Sequence, residues 1–169
     1  MNPDDPYNLK RFLSAQEGVY ARALAELRRG QKRTHWMWYI FPQFDGLGYS
    51  PTAKEYSIKS IEEARRYLNH PVLGKRLLEC TEAVIGLKGG SLSEIFGYPD
   101  DLKFKSSMTL FEKVAGSGSM FSYALDRYCH GERDATTLGL LENANSLDCV
   151  KYGQHINIAN KSTKGGDNK

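Results

Sequence analysis

Cysteine is scarce in this chain. Cys80, Cys129 and Cys149 are the three among 169 residues, they are widely spaced, and no C-x-x-C occurs. This pattern argues against a disulfide framework or a thiolate metal site and predicts reduced, packed thiols. Long apolar runs are missing too. The stretch free of Lys, Arg, Asp and Glu around the aromatic region, Thr34 to Phe44, is too short to cross a bilayer and holds His35 and Pro42, so no membrane span is expected. Residues Met1 to Tyr7 carry Asp4, Asp5 and two prolines where a secretory leader has a positive start and an apolar run. An intracellular, cytoplasmic protein is therefore predicted. The body also lacks an excess of either charge. The formal net charge of +3 comes from Lys151, Lys161, Lys164 and Lys169 against Asp167, so residues 1–149 are neutral. A surface that tracks phosphates needs a standing excess of Lys and Arg, which leaves Lys151 to Lys169 as the one segment open to nucleic acid.

Catalytic signatures are equally absent. There is no G-x-S-x-G, no P-loop, no H-E-x-x-H and no His/Cys set at zinc spacing. Gly46-Leu47-Gly48 follows no strand, so it is not a dinucleotide fingerprint. No cofactor and no metal are assigned. Strand signals are nearly lacking, since no run alternates polar and apolar side chains over four to eight residues between turns.

What the chain does have is helical periodicity, with seven Phe, ten Tyr and two Trp to fill a core. Leu9, Phe12, Leu13, Gln16, Tyr20, Ala23, Leu24 and Leu27 recur at spacings of three and four, predicting one helix that stops at Gly30. Ser60-Ile61-Glu62-Glu63 has the form of a capping box opening a helix to about Leu68, and Ser91-Leu92-Ser93-Glu94 repeats it before Gly97. Pro71 suits the first position of a helix running to Gly89-Gly90. Further helices are predicted along Leu102 to Lys113, over Met120 to Tyr128, and from an Asp134 cap over Ala135 to Leu141. The expected architecture is all-α, a compact single domain of about seven short helices over 1–149, followed by a flexible polar, basic tail over 150–169.

Two segments are dense in groups that could do chemistry. In Lys32-Arg33-Thr34-His35-Trp36-Met37-Trp38-Tyr39-Ile40-Phe41-Pro42-Gln43 both tryptophans stand two residues apart. Their rings are either core or the wall of a pocket in which an indole stacks on a planar ligand while His35 and Gln43 supply directional hydrogen bonds. In the second segment, Phe96 and Gly97 precede Asp100, Asp101 and Lys103, with Ser106, Ser107 and Thr109 following. The two carboxylates are either helix N-terminal residues favoured by the macrodipole, or one of them points into a cleft as an acid, base or hydroxyl anchor, with Lys103 as partner. The hydroxyls either bond back to helix carbonyls or contact a sugar or phosphate.

The blocks H-W-M-W-Y-I-F-P-Q at 35–43, G-L-G-Y-S at 46–50, E-A-R-R-Y-L-N-H-P-V-L-G-K-R-L at 63–77, I-F-G-Y-P-D-D-L-K at 95–103 and S-S-M-T-L-F at 106–111 resemble an uncharacterised bacterial family, domain of unknown function 1810, over roughly Tyr7 to Leu141. The resemblance implies a compact all-α domain and no particular reaction. The order of Lys54-Glu55-Tyr56-Ser57-Ile58, the Y-L-N-H-P-V-L-G-K-R-L-L block and I-F-G is also similar to the NADAR superfamily, helical proteins associated with ADP-ribose and N-glycosidic hydrolysis, although Phe96 stands where that family has Trp.

Together these readings point to a small-molecule partner of nucleotide or ADP-ribose type, bound and hydrolysed at an N-glycosidic carbon. An oxocarbenium-like centre needs a carboxylate, from Glu55, Asp100 or Asp101, and an acid/base group such as His35. Lys32, Trp36, Trp38, Phe41, Gln43, Phe96, Gly97, Lys103, Ser106 and Ser107 would hold the ligand. The rival expectation is a non-enzymatic small-ligand or protein-interaction module using the same aromatic pocket.

Overall fold

Capping serines start several of the helices, as their side chains allow. Ser50, Ser60, Ser91 and Ser119 each accept a backbone N–H three residues on. At Ser91 the box is complete, because the Glu94 carboxylate returns to the Ser91 N–H. At Ser60 it is not: the Glu63 carboxylate accepts instead from the Lys59 N–H at 3.1 Å and pairs with Arg11 at 3.4 Å. The computed structural model describes residues 2–159.

Ten helices occur among the described residues: α1 Lys10–Gln16, α2 Tyr20–Arg28, α3 Met37–Ile40, α4 Pro51–Glu55, α5 Ile61–Asn69, α6 Leu73–Ile85, α7 Leu92–Phe96, α8 Asp100–Ala115, α9 Met120–Tyr128 and α10 Ala135–Ala159. The β-pairing among these residues is a single parallel bridge between Phe44 and Ile58. The fold is all-α, and seven of the helices have seven residues or more. None of them is long and apolar enough to cross a membrane.

Three boundaries differ from the periodicity reading. The helix predicted through Leu9 to Leu27 is two helices, because Gly18 takes a φ of +74° and turns the chain between α1 and α2. Apolar spacing carries across this break and so hides it. Pro71 lies in the turn before α6, where the His70 Nδ1 accepts from the N–H groups of Val72 and Leu73 at 3.1 and 3.2 Å, and α6 ends at Ile85 rather than at Gly89-Gly90. The helix begun at Ala135 continues to Ala159, since no glycine or proline interrupts it after Leu141 until Gly153. Its backbone therefore covers the first part of the expected tail, and residues 160–169 lie outside the described residues.

α8 is the central element, packed against α5, α7, α9 and α10, while α6 packs on α2, α5 and α9. Phe104 and all six residues from Ser106 to Phe111 on α8 are buried. Phe41, Phe96 and Phe104 form one aromatic knot, with centroids 4.9 to 5.9 Å apart. Cys80 and Cys129 are buried free thiols, and burial pushes Cys80 up to about 12. The side chain of Cys149 lies outside the described ones.

Candidate ligand-binding cleft

The aromatic segment is pinned before it reaches α3. The Lys32 N–H donates to the Ile95 carbonyl at 2.7 Å, and the buried Glu26 carboxylate collects the N–H groups of Arg33 and Thr34, the Thr34 hydroxyl and the Trp36 indole N–H. Trp36 is thus held in the core. Positions two apart on a helix do not share a face, so Trp38 emerges on the other side of α3 and is only half-buried.

Beyond α3, the bridge to Ile58 fixes Gln43 by its backbone, because the Ile58 N–H donates to the Gln43 carbonyl at 2.8 Å. The Gln43 side-chain amide makes no hydrogen bond among the described residues, nor does the Trp38 indole N–H. The loop Gly46 to Ser50 then turns into α4, and Gly48 is packed so closely on it that a Cβ there would lie 2.5 Å from the Ala53 Cβ.

These elements form one side of a cleft of about 450 Å³. The opposite side is Pro99, Leu102, Lys103 and Ser106, a helical face of α8, with Asp134 and Thr136 at the start of α10. The Lys103 ammonium lies 4.8 Å over the Trp38 ring and 3.3 Å from Oδ1 of Asp100, whose Oδ2 is 2.9 Å from the nearly buried Lys32 ammonium. Asp134 caps α10 by accepting from the Thr137 N–H at 3.0 Å through Oδ2, and its Oδ1 has no partner among the described residues. Tyr49 lines the cleft and is 87% exposed.

Residues 6–141 match the family described as "Protein of unknown function (DUF1810)". The chain belongs to this family. It is also similar to the crystal structure of the conserved hypothetical protein Rv1873 from Mycobacterium tuberculosis, at 51% identity and a TM-score of 0.80, over 82% of this chain and 99% of that one. No curated protein matches the chain. Every residue lining the cleft falls inside the DUF1810 span.

Within this DUF1810 domain, four of the residues singled out from sequence meet on the cleft wall: Trp38, Gln43, Lys103 and Ser106. Lys32 and Asp100 stand behind it as the support of Lys103. Trp36, Phe41 and Phe96 do not line it; they are core, because Glu26 and Phe104 offer them partners inside. Ser107 is buried, and its Oγ has no partner among the described residues. The Ser106 and Thr109 hydroxyls bond back to the carbonyls of Leu102 and Lys105, at 3.0 and 2.8 Å. Gly97, at φ +74°, serves the turn from α7 to α8. Asp101 accepts the neighbouring Leu102 N–H at 2.9 Å in the first turn of α8, the helix-terminal role rather than a cleft role. His35 and Glu55 are exposed and outside the cleft; Arg11 holds the Glu55 carbonyl, not its carboxylate, at 2.8 Å. The four expected catalytic groups are therefore not assembled.

Sequence reading missed the cleft role of Leu47, Tyr49, Ala53, Leu102, Asp134 and Thr136. Asp134 was visible as a cap, but a cap does not announce which cavity the residue lines. Glu26 was missed as well; an acid on the inner face of an otherwise apolar α2 stripe was the available signal. A larger hollow of about 560 Å³ lies at the N-terminus, but Asp5 there is consumed in capping Leu9 and Lys10, and the His70 Nδ1 in holding α6. No group of three or more His, Cys, Asp or Glu among the described residues could hold a metal ion.

Proposed function

We propose that the domain binds a small, planar-ring ligand of nucleotide or ADP-ribose type in the cleft between α3, α8 and α10. The observation that carries this reading is convergence. Trp38 and Gln43 come from one segment and Lys103 and Ser106 from another about sixty residues on, and they line the same cavity of about 450 Å³, with the Gln43 amide and the Trp38 N–H without a hydrogen bond among the described residues. Polar groups left unpaired at the wall of an aromatic cavity are what a ligand completes. The ADP-ribose element of the proposal also rests on the likeness to the NADAR superfamily.

Binding is favoured over hydrolysis by the placement of the carboxylates. Among the described residues Asp134 is the one acid on the wall, and one of its oxygens caps α10. Glycosidic hydrolysis ordinarily uses two groups, one to stabilise the cationic centre and one to activate water. Calorimetry and thermal unfolding with nucleosides, nucleotides and ADP-ribose test the proposal, because a ligand of the native state raises stability. Binding that is lost in Trp38→Ala and Gln43→Ala supports it; binding that survives both variants sinks it. Release of free base in the same mixtures, abolished by Asp134→Asn, would instead move the reading to hydrolysis in this cleft.

A further inference from the structure

The charges on the cleft wall decide which part of such a ligand is read. Among the described residues, Lys103 is the one cation lining the cleft and Asp134 the one carboxylate, so an entering phosphate meets both signs. Lys103 is already engaged, with Asp100 at 3.3 Å and the Trp38 ring at 4.8 Å. The start of α10 would ordinarily favour an anion, but it carries its own, the Asp134 carboxylate on the Thr137 N–H at 3.0 Å. A phosphate placed there would sit beside a like charge.

What the wall offers freely suits hydroxyls. Oδ1 of Asp134 has no partner among the described residues, and a carboxylate oxygen is the strongest acceptor for an O–H donor. Ser106 has committed its proton to the Leu102 carbonyl at 3.0 Å, so toward the cleft it presents lone pairs. Two acceptors that line one cleft from α8 and the start of α10, in a wall that also carries an indole and an amide, suit a ligand with more than one hydroxyl beside an apolar ring face.

We infer that the cleft recognises the vicinal diol of a sugar and leaves any phosphate in solvent. This rests on the ligand-binding reading above and narrows it from nucleotide to the diol itself, whose source is either the ribose of a nucleoside or a free pyranose.

Calorimetry of the full chain with adenosine, 2′,3′-dideoxyadenosine, ADP-ribose and glucose tests it. With ribose as the source, adenosine and ADP-ribose bind within about tenfold of each other, since phosphate adds no contact, and dideoxyadenosine binds about tenfold or more weakly, since it forgoes the hydrogen bonds to the Asp134 carboxylate and the Ser106 hydroxyl. Asp134→Asn keeps the cap and narrows the difference between adenosine and its dideoxy form, because only the Ser106 acceptor is left. Glucose binding without adenosine binding, weakened about tenfold by Asp134→Asn, keeps the diol and names the pyranose. ADP-ribose binding more than about tenfold tighter than adenosine, or dideoxyadenosine binding as well as adenosine, overturns the inference while ligand binding stands. Binding by none of the four probes overturns both.

Discussion

The indole N–H of Trp36 points at both oxygens of the Glu26 carboxylate, 3.3 Å from each. The same carboxylate accepts from the Thr34 N–H and the Thr34 hydroxyl, both at 2.7 Å, and from the Arg33 N–H. One buried acid thus organises the whole approach to α3, and through it the position of Trp38. In Glu26→Ala these donors lose their acceptor inside the protein, and an unsatisfied buried group costs about 1–3 kcal/mol. We expect a total loss of about 2–4 kcal/mol in urea unfolding. A loss below about 0.5 kcal/mol, the size of an ordinary surface change, would show that the segment is held by packing alone.

The pH dependence follows from the same acid. Burial raises the Glu26 pKa, but its hydrogen bonds from Thr34, Arg33 and Trp36 outweigh that and leave it lowered. A lowered folded value means that the unfolded chain binds the proton more tightly. Its stabilisation is complete above the ordinary carboxylate range and is lost as pH falls through the folded value. Glu112, lowered chiefly by Arg133, behaves likewise. Glu63 runs the other way: burial raises it despite Arg11, so its contribution is greatest at acid pH and declines as pH rises through the folded value. The difference in stability between the parent and Glu26→Gln should therefore be largest near neutrality and shrink on acidification below about pH 4. A difference that stays constant across the range would exclude Glu26 as the titrating group.

The two tryptophans differ in burial, and their substitutions should differ accordingly. Trp36 is fully buried, and Trp36→Ala should cost about 3–5 kcal/mol. Trp38 is only partly buried and packs against the Lys103 ammonium at 4.8 Å, so Trp38→Ala should cost about 1 kcal/mol yet remove the stabilisation that the proposed ligand confers. Equal destabilisation by both variants, read from thermal melts, would mean that Trp38 is core and the cleft is not built around it.

How much of this was legible beforehand varies with the range of the interaction. Local chemistry was readable: the Ser91-Glu94 box and the Met120–Tyr128 boundaries of α9 follow from neighbours in sequence. Gly18 was not readable as a break, because the apolar spacing from Gln16 to Tyr20 stays helical across it. The Trp36/Trp38 pair showed that two faces of one element are aromatic, but which face is inside depends on Glu26, ten residues earlier. His35 was singled out by its place beside the aromatic run and Glu55 by the likeness of its block to the NADAR superfamily, and neither signal shows the exposure that the packing of α2, α3 and α4 sets. The cleft joins three distant segments, so its wall is a tertiary fact; Asp134 belongs to it only because α10 packs on α8.

Asp100 holds two lysines that differ in burial, and its removal should not be matched by removing the outer one. The Lys32 side chain is 6% exposed and Lys103 24% exposed. Asp100→Asn leaves the Lys32 ammonium with the Thr34 carbonyl, at 2.6 Å, but no counter-charge, a loss of about 3 kcal/mol. Lys103→Met keeps the Lys32 pair and should cost about 0.5–1 kcal/mol. Chemical denaturation of the two variants measures the asymmetry, and equal losses would show that the lysines share Asp100 evenly.

Gly48 and Ala53 provide a test of the cleft's outer wall that does not depend on any ligand. A Cβ at Gly48 would lie 2.5 Å from the Ala53 Cβ, well inside the contact distance of about 3.5–4 Å between carbons. Its φ is not left-handed, so the obstacle at Gly48 is steric and the Ala53 methyl is the obstacle. Gly48→Ala should therefore destabilise by about 1–3 kcal/mol, and Ala53→Gly, a glycine in a short helix, by about 0.5–1 kcal/mol. Combined, they should lose less than the sum of the two, with a coupling of about 1–2 kcal/mol. Gly74 is the contrast, since its Cβ would meet the Leu68 carbonyl oxygen at 1.9 Å, and backbone cannot be cut away by a second substitution. Additive losses in the Gly48/Ala53 cycle would mean that the loop moves aside rather than pressing on α4, and the cleft would then change width with the sequence of that loop instead of being fixed by this contact.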